Sequence, residues 1–331
     1  MALEQGCVDS PGRENLVLEA AVEAVGAAAR AIAALGAPAA FTKPDASPVT
    51  IADVAAQCAA AAVLQQRLGA KVRIAGEEDA ETLQGAAGAD VLALASAALA
   101  QAGCAMNATE VARTLDACGD SGGSGSFWAL DPLDGTKGYL RGGQFVVALA
   151  RVDDGVPTVA AMACPRLPLR GVEVTSGGLG VIAGATRTGA WQAPLDSPQE
   201  RQPIRCAPWQ PGIPFILGES IEAAHSAHGR TAAMLANAGA FDTVRIDSQC
   251  KYLLVARGDA HCFLRVPPKS GYAEKVWDHA AGALIATAAG AVVSDALGGA
   301  LEFSSGRTMN AGVGACCAVP RLHQALFPQT R

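Results

Sequence analysis

Short strand-like segments alternate with helical ones through the second half of the chain, from about residue 160 onward. The strand-like segments are GVEVTS at 171–176, GVIAGA at 180–185, PFILGES at 214–220, TVRIDS at 243–248, AHCFLRVP at 260–267 and AVVSD at 291–295. The helical ones are 223–239, 249–258 and 277–290. This alternation is typical of α/β proteins in which helices and sheets pack in layers. We therefore predict an α/β fold.

The first half of the chain has a different pattern. Apolar residues at helical spacing predict one amphipathic helix over 14–36 and another from Ile51 to Gly69. Residues 144–155 and 157–165 predict a pair of strands joined by a turn at Asp153 to Gly155. We therefore predict two domains, an α+β domain with an antiparallel sheet at 1–160 and an α/β domain at 161–331.

Composition and charge exclude several classes of partner. The net charge is −6 and there is no basic tract, which argues against a nucleic-acid polymer but leaves a small anionic ligand open. No apolar run reaches the length of a membrane helix, and the first residues lack the features of a signal peptide. We expect a monomer in the cytoplasm, or in an organelle stroma if a transit peptide has been removed.

The chain has ten cysteines, but their spacing includes no CxxC pair and no framework typical of secreted proteins. We therefore expect buried free thiols in a reducing compartment, and neither disulfides nor a zinc site.

The segment DPLDG holds Asp131 and Asp134 on either side of a tight turn. Pro132 fixes its own φ and favours an extended Asp131, so the turn can direct both carboxylates to one point. The carbonyl of Leu133 can join them, and oxygen ligands of this kind suit a hard cation such as Mg²⁺. The alternative is an ordinary Asp-Pro turn at the surface.

The residues that follow favour phosphate chemistry. Gly135 and Thr136 would expose backbone N–H groups, and a helix that begins there would offer an anion site at its N-terminus. Lys137 and Arg141 add positive charge, although most isolated Lys and Arg side chains are simply solvated.

Three other acidic residues are candidates for the same site. Glu77 follows a strand-like segment and can point into a cleft, whereas Glu78 and the acidic residues just after it are expected in solvent. Asp53 falls in the first turn of the second helix, where the helix dipole alone could account for it. Asp278 opens an apolar helix and could be a simple cap.

These motifs carry a resemblance to a known group of enzymes. GEE, DPLDGT and WDHAAG, in this order, resemble the lithium-sensitive, magnesium-dependent phosphomonoesterases of the inositol monophosphatase and fructose-1,6-bisphosphatase superfamily. The strings TKPDASPVTIADVAAQ, FWALDPLDGTKGYLRGGQFVVALA, IDSQCKYLLVARGDAHCFLR and YAEKVWDHAAG are similar to its 3'(2'),5'-bisphosphate nucleotidase branch. The resemblance extends from about residue 14 to the end of the chain, and it implies a layered α/β/α/β/α sandwich.

The resemblance also implies a role for individual residues. Two to three Mg²⁺ ions would be held by Glu77, Asp131, the Leu133 carbonyl, Asp134 and Asp278. Thr136, oriented by Asp53, would help to deprotonate the attacking water. The substrate would be bound by Gly135, Thr136, His225, Ser248, Lys251, Arg265 and Asp278. For Lys251 and Arg265, the residues alone would favour a solvated charged face.

The implied activity is removal of the 3'-phosphate of adenosine 3',5'-bisphosphate to give AMP, with 3'-phosphoadenylyl sulfate as a further candidate substrate. One departure is Ala288, which stands where the family has a Glu. Three alternatives stay open at this point. They are a phosphatase of inositol phosphates or fructose bisphosphate, a nucleotide- or metal-sensing protein of the same fold, and a dinucleotide-dependent oxidoreductase suggested by GLGVIA at 178–183.

Overall fold

The structure is a computed structural model that describes residues 11–36, 40–42, 48–83, 85–171, 180–221, 234–235, 238–266, 273–310, 312 and 314–328. Its helices are α1 (Pro11–Ala34), α2 (Ile51–Leu68), α3 (Gly85–Gln101), α4 (Ala108–Ala117), α5 (Thr136–Leu140), α6 (Cys250–Ala256), α7 (Ala280–Ala288) and α8 (Pro320–Leu326). Its strands are β1 (Ala40–Thr42), β2 (Pro48–Thr50), β3 (Ile74–Gly76), β4 (Ser126–Asp134), β5 (Val146–Asp153), β6 (Val156–Cys164), β7 (Val181–Thr186), β8 (Gly189–Pro194), β9 (Gln202–Pro203), β10 (Phe215–Glu219), β11 (Phe241–Arg245), β12 (Cys262–Arg265), β13 (Val292–Ser294) and β14 (Ala315–Ala318).

A seven-stranded sheet forms the first half of the fold. Its strands follow the chain in order from β3 to β9, and every neighbouring pair is antiparallel except β3 and β4. Both faces of this sheet are buried. Successive side chains of a strand point to opposite faces, so a single strand contributes to two cores. Along β5, Val146 and Ala148 belong to one apolar core, whereas Val147 and Leu149 belong to another.

The two cores place helices on both faces of this sheet. One face packs against α1 and α2, which in turn pack against α3 and α4. The other face packs against α7, which pairs with α6. The α6–α7 pair also contacts a five-stranded sheet of order β11-β10-β12-β14-β13, and α8 packs against β14. The resulting α/β/α/β/α arrangement confirms the predicted fold class.

Most predicted elements agree with the structure to within a few residues. The predicted helix over 14–36 is α1, and the predicted strand pair is the antiparallel pair β5 and β6. The segment that contains GLGVIA continues into β7, which forms a hairpin with β8. A strand that turns into a hairpin does not offer the glycine turn and long helix of a dinucleotide site, so the oxidoreductase alternative loses its support.

Some predictions lie outside the described residues. They are nearly all of the helix over 223–239 with His225, and most of the strand-like segment GVEVTS. The chain leaves the seven-stranded sheet after Pro203, whereas the predicted domain boundary at residue 160 falls within β6. The division into two domains stays a prediction.

The nine cysteines of the described residues are free thiols, and seven of them are buried. The burial of these seven agrees with the expectation of buried thiols. No helix in the described part of the chain has the length and apolar character needed to cross a membrane.

Candidate active site

A bulge at the end of β4 brings the two aspartates of DPLDG to the same side of the sheet. Asp131 pairs with Ala148 and Asp134 pairs with Val146, so three steps along β4 match two steps along β5. In a regular strand, residues three apart point to opposite faces. The extra residue restores a common face for Asp131 and Asp134, while Leu133 packs into the core on the other side of the sheet.

Asp131 lies at the centre of an acidic cluster. Its side chain is buried, and burial is the main reason why its pKa is raised well above the usual range. Repulsion from other carboxylates raises this pKa further, in decreasing order from Glu77, Asp134, Asp278 and Asp53. The four other acidic residues that the sequence singled out therefore lie within electrostatic range of Asp131, although the five are spread over four separate segments of the chain.

Three of the carboxylates accept hydrogen bonds from the backbone. Asp131 Oδ1 accepts a hydrogen bond from the N–H of Leu133 at 3.1 Å, and Asp278 Oδ2 accepts one from Lys275 at 3.0 Å. Asp134 accepts a short hydrogen bond from the N–H of Gln249. Accordingly, no three His, Cys, Asp or Glu side chains of the described residues are close enough together to form a preassembled metal cluster. The donors are nevertheless all oxygens that repel one another, which is the chemistry that fits a hard divalent cation.

The turn that carries Glu77 is held by Gln57, one helical turn after Asp53 on α2. The Gln57 side-chain amide donates to the carbonyl of Glu78 at 2.6 Å and accepts from the N–H of Glu78 at 2.9 Å. Glu78 itself is only 3% exposed, so the prediction that it is solvated was wrong. Glu78 is buried because its backbone is hydrogen-bonded to Gln57, which holds this turn against α2.

Gly135 connects the DPLDG turn to the second half of the chain. Its φ of 90° lies in the left-handed region that favours glycine, and a Cβ there would lie 3.2 Å from the Cβ of Ser248. The predicted substrate ligand Ser248 is thus packed against the predicted phosphate turn. The short helix α5 begins at Thr136, whose hydroxyl donates to the Leu133 carbonyl at 3.3 Å.

Lys251 is buried, with 5% of the residue exposed, so the alternative of a solvated face does not hold for it. Its ammonium group donates to the Ile246 carbonyl at 3.3 Å and lies 5.4 Å from the centre of the Phe263 ring. Burial lowers its pKa from 10.5 to about 8, while attraction from Asp134 acts in the opposite direction. A cation is therefore held in the protein interior beside the acidic cluster.

Arg265 is the second cation on this side. Its Nε lies 2.6 Å from Glu274 Oε1, and its side chain is 23% exposed. Attraction from Lys251 and Arg265 lowers the pKa of Asp134, although burial leaves that pKa raised overall. Both predicted substrate-binding cations therefore lie close to a predicted metal ligand.

Arg141 is exposed, but its guanidinium is held in an ion pair. Its guanidinium lies 2.7 Å from the carboxylate of Asp247, the buried residue that precedes Ser248. Gly138 is packed so closely here that a Cβ would come within 2.8 Å of the same carboxylate. The GTKGYLRG run, which contains α5, thus packs against the loop that carries Ser248. Lys137, in contrast, is exposed.

Gln249 is a site residue that the sequence reasoning missed. Besides the bond from its N–H to Asp134, its side chain donates to the Trp277 carbonyl at 2.8 Å and accepts from Gly282 at 3.1 Å. It therefore links Asp134 to the turn that carries Asp278. Its position in the sequence, between the predicted ligands Ser248 and Lys251, could have indicated that Gln249 belongs to the site.

Asp278 lies in a turn of 3₁₀-helix, Val276–Asp278, that precedes α7. Ala288, which departs from the family pattern, is the last residue of α7. At ~1.5 Å of rise per residue it lies about 12 Å along the helix from Ala280. The departure is thus at the opposite end of α7 from the acidic cluster.

Comparison with known proteins agrees with the resemblance. The profile of the inositol monophosphatase family matches residues 18–331. The chain is 36% identical over 331 residues to a 3'(2'),5'-bisphosphate nucleotidase of Emericella nidulans, covering 92% of this chain and 94% of the relative. It is 36% identical over 267 residues to 3'(2'),5'-bisphosphate nucleotidase 1 of Arabidopsis thaliana, covering 75% of each.

Solved structures show the same fold at lower identity. CysQ from Bacteroides thetaiotaomicron, a bacterial member of the inositol monophosphatase family, matches with a TM-score of 0.59 and 23% identity over 91% of this chain and 97% of that one. The inositol monophosphatase from Anabaena matches with a TM-score of 0.57 and 18% identity over 95% of this chain and 96% of that one.

Proposed function

Because this chain belongs to the inositol monophosphatase family, whose members are metal-dependent, we propose that it is a phosphatase that hydrolyses the 3'-phosphate of adenosine 3',5'-bisphosphate. The products would be AMP and inorganic phosphate, and 3'-phosphoadenylyl sulfate is a second candidate substrate. The observation that carries this proposal is the position of two cations, Lys251 and Arg265, beside the acidic cluster around Asp131.

The acidic cluster supplies the ligands for two Mg²⁺ ions in this proposal. Glu77, Asp131 and the Leu133 carbonyl would hold one, and Asp131, Asp134 and Asp278 the other, with a looser third ion. When bound, the ions supply Lewis-acid polarisation of the phosphoryl oxygens and a lowered pKa for the attacking water. The protein supplies a buried set of oxygens that repel one another until a cation is present.

The chain's own polar groups position the reacting atoms. The backbone of Gly135 and Thr136 would face the phosphate in this proposal. The Thr136 hydroxyl, oriented by Asp53, would accept a proton of the attacking water while giving its own proton to the Asp53 carboxylate. In the structure that hydroxyl donates to the Leu133 carbonyl. It would turn from this carbonyl when the carbonyl binds a cation.

The cations explain why we propose a bisphosphate. A phosphomonoester such as inositol 1-phosphate has one phosphate, which the metal ions and the Gly135 turn would bind. A second phosphate needs further positive charge, and Arg265 offers a planar fork for it while Lys251 offers a compact ammonium group. Attraction from Asp134 offsets only part of the cost of burying the Lys251 ammonium group, since its pKa stays lowered, and the remaining cost favours an anionic ligand on this side.

The test is phosphate release in Mg²⁺ from adenosine 3',5'-bisphosphate, inositol 1-phosphate and fructose 1,6-bisphosphate, compared by kcat/KM. We expect the nucleotide to be the best substrate. A higher kcat/KM for either sugar phosphate would overturn the nucleotide assignment. Turnover of none of the three would instead favour a nucleotide- or metal-sensing protein. Inhibition by Li⁺ is a further expectation for this site.

A further inference from the structure

Arg307 contacts both of the turns that carry the outermost carboxylates of the cluster. One of its guanidinium nitrogens donates to the carbonyl of Gly76, the residue before Glu77. The guanidinium carbon Cζ lies over the ring of Trp277, the residue before Asp278, at 4.7 Å from the ring centre. One side chain thus contacts two segments that are 201 residues apart in sequence.

The backbone around Arg307 adds to this connection. The Arg307 carbonyl accepts from the N–H of Val276 at 3.0 Å, and Thr308 forms an antiparallel bridge with Lys275. The segment from Arg307 therefore pairs with the residues that lead into the turn of Asp278. The position of this turn is tied to the backbone and the side chain of one arginine.

A third contact fixes the direction of the guanidinium. Its other terminal nitrogen donates to the carbonyl of Asp120 at 3.1 Å. The N–H of Asp120 in turn donates to the carbonyl of Ile74 on β3, the strand that ends just before Glu77. A planar group with donors on two edges and an aromatic ring against its face has little rotational freedom.

From these contacts we propose that Arg307 is a positioning residue that sets the spacing between Glu77 and Asp278, and thereby the affinity of the site for divalent cations. This inference rests on the proposed metal site. Arg307 touches no reacting atom, and its positive charge lies near Glu77 without being a ligand. Groups that orient metal ligands contribute about 10- to 100-fold to metal affinity.

The test compares Arg307→Lys with Arg73→Lys. Lysine keeps the charge but cannot reach two carbonyls while stacking on Trp277. Arg73 is a matched control because it also binds Asp120, through the carboxylate at 2.8 and 3.0 Å, while its other bonds are to the carbonyls of Gly122 and Ser124. Binding of Mg²⁺ to the metal-free proteins is measured by calorimetric titration, with thermal melts in the absence of metal.

We expect Arg307→Lys to weaken Mg²⁺ binding about tenfold or more. Activity should recover at high Mg²⁺, with the KM for adenosine 3',5'-bisphosphate close to that of the wild type. Arg73→Lys should bind Mg²⁺ as the wild type does. A purely structural role would instead lower the metal-free melting temperature and the activity at every Mg²⁺ concentration.

Unchanged Mg²⁺ affinity in Arg307→Lys would overturn this inference and leave the proposed function intact. An equal loss in both variants would also overturn it, because the effect would then come from the shared loop at Asp120. If the wild type itself binds no divalent cation, the proposed metal site is wrong, and the inference is lost with it.

Discussion

The acidic and cationic sides of the site differ in how their charges are compensated. On the acidic side, Asp131 is surrounded by other carboxylates, and burial and repulsion together raise its pKa. On the cationic side, burial lowers the pKa of Lys251. Each side holds buried charge, which a ligand of opposite sign would stabilise; under the proposed function this ligand is a metal cation on one side and a phosphate on the other.

The two sides also stabilise each other. Attraction between Lys251 and Asp134 lowers the pKa of the carboxyl group and raises the pKa of the ammonium group, against the stronger effect of burial on both. The comparison predicts that catalysis and substrate choice are separable in this molecule. Changes on the acidic side should affect turnover of every phosphomonoester, whereas changes on the cationic side should affect the bisphosphate most.

The largest effect is expected from Asp134→Asn. Loss of a carboxylate that binds a cation should lower kcat by about 100-fold or more for the nucleotide and for inositol 1-phosphate alike. The metal-free melting temperature should not fall, because burial and repulsion from Asp278 together outweigh the attraction of Asp134 to Lys251 and keep its pKa raised. The amide can also still accept from Gln249. Steady-state kinetics and a thermal melt check both statements.

Asp116→Asn, at an exposed position on α4, is the control. Near-normal turnover by Asp134→Asn would refute the proposed metal ligands.

A smaller and more selective effect is expected from Lys251→Met, which keeps the length of the side chain but removes its charge. A hydrogen bond to a charged group contributes about 1.5–3 kcal/mol, so the KM for adenosine 3',5'-bisphosphate should rise about 10- to 100-fold. The kcat for inositol 1-phosphate should change much less. The exposed residue Lys71 provides the control variant Lys71→Met. An equal loss for both substrates would show that Lys251 supports the fold or the metal site and does not select the substrate.

The comparison also explains what could be predicted from the sequence. The carboxylates proposed as metal ligands stand in short motifs, because a tight turn or a helix start can position them within a few residues. The groups that hold those motifs together could not be found in this way. Gln57 binds a residue 21 positions away, and Gln249 binds one 115 positions away. Partners at such separations are set by the packing of the sheets, which no local pattern contains.

The same limit applies to burial and to short strands. Lys251 looks like part of a solvated face until α6 is placed between two sheets. The strand β14 has the sequence ACCA, which has no alternation of polar and apolar residues to mark it, since it lies within a sheet that is buried there. The longer helices α1 and α2, in contrast, follow directly from apolar periodicity.

The pH dependence of substrate choice should distinguish the effect of the cationic side from that of the acidic side. The pKa of Lys251 is lowered to about 8, so its charge is present below that pH and is lost above it. The ratio of kcat/KM for the bisphosphate to kcat/KM for inositol 1-phosphate should therefore fall about tenfold between pH 7 and pH 9. Taking the ratio cancels effects of pH on the shared metal site. The fall should be absent in Lys251→Met, and its persistence there would assign it to another group.

The smallest effect is expected from Arg141→Gln, which tests how the branch-specific GTKGYLRG run acts on the cationic side. The pair with Asp247 is partly exposed on the Arg141 side, so solvent weakens it. We expect a rise of about two- to fivefold in the KM for adenosine 3',5'-bisphosphate with little change in kcat, because the loop of Ser248 loses one anchor while the metal ligands stay in place. Arg151→Gln removes an ion pair of similar length, to Asp153 at 2.9 Å on β5, and should leave KM unchanged. If Arg141→Gln lowered kcat with KM unchanged, the run would act through α5 and the phosphate turn, and the separation between the two sides would fail at this residue.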